Sequence, residues 1–358
     1  MQQEDYIHYD LQTKSILSTT TEARQVVFED IRNTPIISNS SEYKLSITRF
    51  QTDTTLLPVF IPTIELEQDD PDLTILSVTL QKGSNIIRRP IIWEPEFTSV
   101  TKPPPTSSTP FGQDRNTTYY YCLNYQHLIR LINKTFLLAM NDLKAVDGSL
   151  SGVDAPFMGW DTSRLCADLI CPVEFDIDNT DNIELFMNRP LWALFTSMAA
   201  NRGSISETFG RVYKLSISSN NGYNLNTDGK IVLKQNYSTI SNWSPVASIV
   251  FASNTLPVVP TNISPPLVSL NGVNFPIGSG VSNYIKAITD ISVNQQSYKP
   301  NLIYNPSAQY RYINLYTSQP ISTTSIEVFW KSTNGDYFPL LLPSGGSASI
   351  KIIFERKK

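Results

Sequence analysis

Two-residue alternation of apolar and polar side chains recurs along this chain and restricts its fold more than any other feature. In Tyr43-Lys-Leu-Ser-Ile-Thr-Arg-Phe50, Tyr43, Leu45 and Ile47 fall on one side, and Lys44, Ser46 and Thr48 on the other. Period two marks a strand with one buried face, because successive side chains of extended backbone point to opposite sides. The pattern returns near the end, where Ala348, Ile350, Ile352 and Phe354 alternate with Ser349, Lys351 and Ile353. Leu73–Gln81, the turn Lys82-Gly83-Ser84-Asn85 and Ile86–Trp93 read as a hairpin with a four-residue loop. Further strands are expected at Val212–Ser218, Ile231–Tyr237, Ala247–Ala252 and Tyr284–Val293. Ile326–Trp330 and Tyr337–Leu342 flank Asn334-Gly335, a dipeptide suited to positive φ in a tight turn. Thr55–Ile61 contains Pro58, which demotes it to an edge or bulged strand.

Helical spacing is scarce. Leu128, Leu131, Ile132, Thr135, Leu138 and Ala139 recur at steps of three and four and predict one long helix over Tyr121–Lys144. A shorter helix is expected over Arg189–Met198, with Asn188 as N-cap and Pro190 in the first turn. Residues 97–118 carry Pro103-Pro104-Pro105 and Pro110 and form a long loop, an interaction or crossover segment or a tolerated insertion. Residues 219–306 are poor in charge and rich in Asn, Ser and Pro, a separate subdomain or a set of long loops. No repeat of 20–50 residues appears, which argues against solenoids and propellers.

Composition removes several function classes. Aromatics make up 11% of the 358 residues, against disorder. A net charge of -4 is opposite to the basic footprint of a nucleic-acid binder. The two histidines, His8 and His127, lie far apart, which argues against a metal centre or a His-dependent hydrolase. Cys122, Cys166 and Cys171 are odd in number without a CxxC pair and read as buried reduced thiols. The start, MQQEDYIHYD, is no secretory signal, and no apolar run reaches membrane-spanning length, so folding in a cell interior is expected. Sequons at Asn39, Asn116, Asn133, Asn236, Asn242 and Asn262 are then expected to be unglycosylated.

Each chemical candidate has a plainer reading. Glu174-Phe-Asp-Ile-Asp-Asn-Thr-Asp181 resembles a calcium loop but has Asp181 where the glycine belongs and Met187 where the final glutamate belongs. It reads as a solvated strand edge and turn, with a weak divalent site as the alternative. Gln68-Asp-Asp-Pro-Asp72 reads as an acidic turn, and Gly278-Ser279-Gly280 as a turn rather than a phosphate loop. His127 is a packed or surface residue on the long helix, and His8 belongs to an N-terminal arm. Arg88-Arg89 and Arg356-Lys357-Lys358 read as solvated charge, with contact to nucleic acid or a neighbouring subunit as the alternative. Most of the five tryptophans read as core, and Trp330, beside a charged turn, as the one most suited to an interface. We therefore expect no catalytic residue, no cofactor and no metal.

The resemblance that organises these pieces runs from about residue 30 to the end. It is carried by Asn39-Ser-Ser-Glu-Tyr-Lys-Leu-Ser-Ile-Thr-Arg-Phe50 followed by Leu57-Pro-Val-Phe-Ile-Pro62, and by Tyr119-Tyr-Tyr-Cys-Leu-Asn-Tyr125 leading into Leu131-Ile-Asn133. Ile183-Glu-Leu-Phe-Met-Asn188, Val328-Phe-Trp-Lys331 and Ile350-Lys-Ile-Ile-Phe-Glu-Arg-Lys357 complete it. The series resembles the minor capsid (penton-type) proteins of virophages, polinton-like viruses and adintoviruses. It implies a mainly β, antiparallel jelly-roll sandwich with one long helix and a β-rich insertion. The expected organisation is an N-terminal arm over 1–22, a jelly roll over 23–218 plus 307–358, and an outward insertion over 219–306. The implied role is a virion shell subunit, a homopentamer at icosahedral vertices beside major capsid protein neighbours. Nucleic-acid contact is expected to be weak or absent, because no long basic arm is present.

Two other readings fit the same strands. Tandem jelly rolls over about 1–200 and 201–358 would make a trimeric major capsid protein. Aromatic and Asn-rich loops in 219–306 would suit a viral attachment or glycan-binding protein. An enzyme would need a carboxylate pair in a cleft.

Overall fold

The computed structural model describes residues 5–15, 23–60, 76–96, 122–203, 212–220, 229–259, 261–263, 267–270, 273–276, 283–293, 301–306, 311–333 and 337–358. The acidic turn 68–72, the Pro-rich segment 97–118, Gly278–Gly280, Asn334–Gly335 and the Asn116 sequon lie outside these residues. Two compact units divide them. The first draws its described residues from Met1–Val59 and Pro245–Lys358, the second from Phe60–Thr106 and Pro110–Ser244.

Eight strands form the two main sheets of the first unit: β1 (Tyr6–Lys14), β2 (Val27–Ile31), β3 (Tyr43–Asp53), β4 (Val246–Ala252), β5 (Ala287–Ser292), β6 (Asn301–Tyr304), β7 (Thr323–Ser332) and β8 (Ser347–Arg356). One sheet has the order β1-β8-β3-β6, and Ile313–Asn314 also pairs with β3. The other runs β5-β4-β7, and both β2 and Tyr337–Pro339 pair along the far side of β7. All of these pairings are antiparallel. Two four-stranded sheets ordered 1-8-3-6 and 2-7-4-5 are the double Greek key of a jelly roll.

The inner faces meet on aromatic rings. Phe50 of β3 stands edge-on to Phe251 of β4 at 4.8 Å and to Phe28 of β2 at 6.3 Å. Strict alternation from Tyr43 would point Phe50 outward, and a bulge corrects this. Ile47 pairs with Ile352 and Arg49 with Lys351, so Thr48 is the extra residue, its hydroxyl on the Lys351 carbonyl at 3.2 Å. The phase shifts by one, and Phe50 and Thr52 join Tyr43, Leu45 and Ile47 in the interior.

A polar clasp joins the edge strands β1 and β2. The Tyr9 hydroxyl donates to Asp30, which also accepts from Arg32 Nε at 2.8 Å, and the Arg32 guanidinium lies 5.0 Å from the centre of the Tyr9 ring. The hydrogen bonds from Tyr9 and then Arg32 hold the Asp30 carboxyl below the usual carboxylate range, while burial raises Tyr9.

The second unit is carried by the connection between β3 and β4. Its larger sheet runs Ala200–Gly203, Val212–Leu215, Glu184–Asn188, Ser77–Lys82, Asn85–Pro90. Its smaller sheet runs Ile231–Lys234, Cys166–Cys171, Phe157–Asp161. The long helix α1 (Tyr125–Val146) packs on strands of both. It starts four residues later than its periodicity predicts, because Asn124 caps it by accepting the His127 N–H at 2.7 Å. Leu128, Leu131, Ile132, Phe136, Ala139 and Met140 form its buried stripe. The expected four-residue hairpin loop is tighter: Lys82 pairs with Asn85, and Gly83 takes φ +56° in a two-residue turn. Helix α2 (Arg189–Ala193) ends five residues before the predicted Met198, and it is capped by Asn188 with Pro190 in its first turn, as the sequence predicts.

This topology redraws the expected domains. The 219–306 segment is not one body: Ile231–Lys234 pairs inside the second unit, while β4 and β5 are half of a jelly-roll sheet. The larger insertion is the 60–244 stretch between β3 and β4. Among the described residues of 219–306, Thr261–Ile263 with Asn283–Ile285, and Leu267–Leu270 with Val273–Pro276, form hairpins of their own. The 1–22 arm contains β1, paired to β8 over nine residues. Tandem rolls divided near residue 200 are ruled out, because strands from both ends of the chain share each jelly-roll sheet.

Two outcomes test this packing. Phe50→Ala should cost about 3–5 kcal/mol in chemical denaturation, the range for an aromatic lost from a packed core. Asp30 has a depressed folded-state pKa, so its clasp contributes stability above the unfolded carboxylate pKa, lost as pH falls through the folded one. Asp30→Asn should therefore flatten the acid limb of the stability curve and destabilise at neutral pH; an unchanged acid limb would count against the clasp.

Candidate assembly surface

The residues that looked chemical in sequence are tied into the framework. His127 is buried; its Nδ1 faces the Arg130 guanidinium at 3.1 Å and its Nε2 the Glu94 carbonyl at 2.9 Å. Arginine only donates, so Nδ1 accepts and Nε2–H donates, and both ring nitrogens are engaged within the fold. Glu94 is also bonded by Lys134, and Glu96 by Asn124 and, at 3.2 Å, the Leu123 N–H, so both carboxylates fasten 94–96 across the start of α1.

The calcium-like stretch is a closed polar turn. Asp176, buried, accepts the Asp178 N–H at 3.1 Å and the Ser219 N–H at 3.4 Å. Asp178 accepts from the Ser218 hydroxyl and the Asn220 amide, each at 2.8 Å. Burial alone would raise Asp176, but these donors hold it below its ordinary value. No group of His, Cys, Asp and Glu among the described residues is arranged to hold a metal ion.

Basic clusters are likewise engaged. Arg89 pairs with Asp142 of α1, and Arg88 donates to Ser77. At the end of the chain Arg356 pairs with Glu42 at 2.9 Å, and Lys357 Nζ bonds the Ser41 and Leu315 carbonyls at 2.7 and 2.9 Å. Trp330, suggested above for an interface, is 4% exposed and stacks on Phe338 at 4.4 Å. Trp160, Trp243 and Tyr125 cluster within the second unit, and burial pushes the Tyr125 hydroxyl up to about 12. Trp192 stacks flat on Tyr213 at 4.0 Å. The Tyr125, Trp160 and Trp243 cluster and the Trp192–Tyr213 pair join elements distant in sequence, where periodicity carries no signal, whereas Trp330 and Phe338 face each other across the hairpin the sequence predicts.

Sequon asparagines serve the fold as well. The Asn133 amide group donates to the Met158 carbonyl at 2.9 Å and accepts its N–H at 2.7 Å, closing the edge of Phe157–Asp161 as another strand would. Asn39 and Asn242 also use their amide nitrogens, on Glu42 and on the Ala193 carbonyl. His8 is exposed on β1.

Several large apolar side chains also lie at the surface. Ile31 is 72% and Ile303 63% exposed on the jelly roll, and Leu137 and Phe157 are exposed on the second unit. No helix among the described residues is long and apolar enough to cross a membrane. A two-sheet jelly roll with a second β unit in one connection is an architecture that viral capsid domains use. Comparison with known proteins gives this class its family. The profile of the family described as Sputnik minor capsid protein V18/19 matches residues 7–356, and the chain belongs to that family.

The chain is 31% identical to the uncharacterized protein V18 of Sputnik virophage over 134 residues, 37% of this chain and 78% of V18. It is 25% identical to structural protein V19 of the same virophage over 128 residues, 36% of this chain and 56% of V19. Its fold matches a chain in the 3.5 Å cryo-EM structure of the Sputnik virophage with a TM-score of 0.76 and 23% identity, covering 99% of each. It matches the crystal structure of the mavirus penton protein with a TM-score of 0.65 and 18% identity, covering 99% of this chain and 100% of the other. The chain is thus a structural protein of the virion shell, in agreement with the resemblance read from its sequence.

Cys122, Cys166 and Cys171 are buried, and burial pushes the thiols of Cys122 and Cys171 far up. Iodoacetamide at pH 8 should leave all three unmodified in the native protein and alkylate all three in denaturant, as read by intact mass.

Proposed function

We propose that this chain is the penton subunit of its capsid: five copies form a ring at each icosahedral vertex, and major capsid protein surrounds the ring. Membership in a minor capsid protein family carries the reading. The fold likeness to a penton protein over nearly the whole chain supports it. The physics is burial of large, weakly charged surfaces between identical copies, with ~2,000–5,000 Å² expected for an obligate interface. Only 17% of residues are charged, which limits the desolvation cost of such contacts. Cyclic symmetry joins two different surfaces of successive copies and closes without leaving either exposed.

In this reading the chain is not an enzyme and needs no cofactor. The β-rich element expected to face outward from the shell is reassigned from 219–306 to the unit between β3 and β4, with its own helix and sheets. The small hairpins within Thr261–Ile285 are a second, lesser projection.

Light scattering of the purified protein should give about 200 kDa, five times the 40.2 kDa chain, over a wide concentration range. A stable monomer, or a trimer, would overturn the penton reading.

A further inference from the structure

One edge strand of the jelly roll is longer and more regular than the others. Exposed edges invite pairing with other chains, and proteins blunt them with short strands, charge, proline, bulges or covers. Phe157–Asp161 is closed by the Asn133 amide. Asn85–Pro90 carries Arg88, Arg89 and Pro90 and lies against α1. β5 sits on a ladder with a register shift and carries Asp290. Every other edge strand among the described residues has six residues or fewer. β1 has nine, with no proline and no register shift from Tyr6 against Glu355 to Lys14 against Ser347.

Its outward groups can be read off the ladder. The Ser15 N–H donates to the Gly346 carbonyl, and the Asp5 carbonyl accepts the Arg356 N–H, each at 2.9 Å. Odd-numbered residues therefore face β8. Tyr6, His8, Asp10, Gln12 and Lys14 turn their N–H and C=O groups away from it, because both groups of one residue point to the same side of an antiparallel strand. No strand among the described residues hydrogen-bonds them, although β2 runs close to β1 and is clasped to it through Tyr9 and Asp30.

A second copy does not fit this edge. Its other edges are too short or blocked. Self-pairing of β1 overlaps all nine residues only in the register that sets Asp10 against Asp10. It also closes a two-fold dimer rather than a ring, a step that rests on the penton reading. We infer that β1 is the acceptor for an extended segment of a different shell protein, which adds as a further strand of the sheet. That segment carries apolar residues at alternate positions to cover the half-buried Ile7 and Leu11, and polar residues between them. Backbone hydrogen bonds supply the attachment and the alternation supplies the register.

Hydrogen exchange resolved to single amides tests this on two samples: the purified chain, and particles made by co-expressing it with the other shell proteins of its virus. Ile7, Tyr9, Leu11 and Thr13 should be protected in both. The amides of Tyr6, His8, Asp10, Gln12 and Lys14 should exchange freely in the purified chain and slow at least ~10-fold in particles. Slow exchange already in the purified chain would assign the edge to a second copy, and free exchange in particles would leave it uncovered; either overturns the inference. A His8→Pro, Gln12→Pro variant removes two outward N–H groups and spares the β8 ladder. It should keep the wild-type mass in light scattering and lose incorporation into particles, and incorporation at the wild-type level would overturn the inference. The mass is read separately, so failure of the ring and failure of the strand acceptor are told apart.

Discussion

The ladder between β3 and β8 is the interaction on which the rest of the jelly roll depends. It pairs Tyr43–Thr52 with Ala348–Arg356, positions about 300 residues apart, and β8 is also, among the described residues, the strand that receives β1. Its inward residues Leu45, Ile47, Phe50, Ile350, Ile352 and Phe354 are almost fully buried. Without it, the pairs β1-β8 and β3-β6 are not joined into one sheet. Pairing of such separation must overcome a large closure entropy before any contact repays it, which makes folding slow. The logarithmic growth of that cost also explains how the β3–β4 connection tolerates a whole second unit. Beyond a few tens of residues, added length in a connection changes closure entropy little.

How much of this was legible in the chain follows from the range of each signal. β3, β7, β8, the long helix and the capped short helix were visible because their information is local: alternation, three-four spacing, Asn188 before Pro190. The bulge at Thr48 was not visible, since an unpaired extra residue is defined only by the partner strand opposite it. Unit boundaries failed for a related reason. Composition shifts at 219 and 306, but the chain passes between units at Val59 and Pro245, where composition does not change. β4 lies in the Asn- and Ser-rich stretch, yet as Val-Ala-Ser-Ile-Val-Phe-Ala it is a buried central strand. A central strand shows as an apolar run rather than as alternation, so polar flanks hid its membership of the core. The shell role was legible through resemblance alone, because an interface leaves no chemical motif.

The Ser, Thr and Asn content, 98 of 358 residues, has a local explanation in the bonds these side chains make. Ser40 Oγ reaches the Thr317 and Gln319 carbonyls at 2.5 and 2.9 Å, and Ser253 Oγ reaches the Ser325 carbonyl at 2.6 Å while accepting the Leu256 N–H at 3.0 Å. Asn188 caps α2 and accepts the Ser77 N–H from the neighbouring strand. In the buried network around Gln235, Ala167 N–H donates to Oε1 at 2.7 Å and Nε2 donates to Thr239, whose hydroxyl shares the Leu194 carbonyl with the Trp243 indole. A roll of short strands has many ladder ends, and each end leaves backbone donors and acceptors that are costly to bury unpaired. Short hydroxyl and amide side chains satisfy them without placing charge in the interior. Charged side chains would satisfy the same groups at a larger desolvation cost and would leave long-range fields on surfaces that must meet other subunits. Polarity without charge is therefore one solution to two constraints. It closes the ends of many strands inside the chain, and it keeps the outside compatible with packing in a shell.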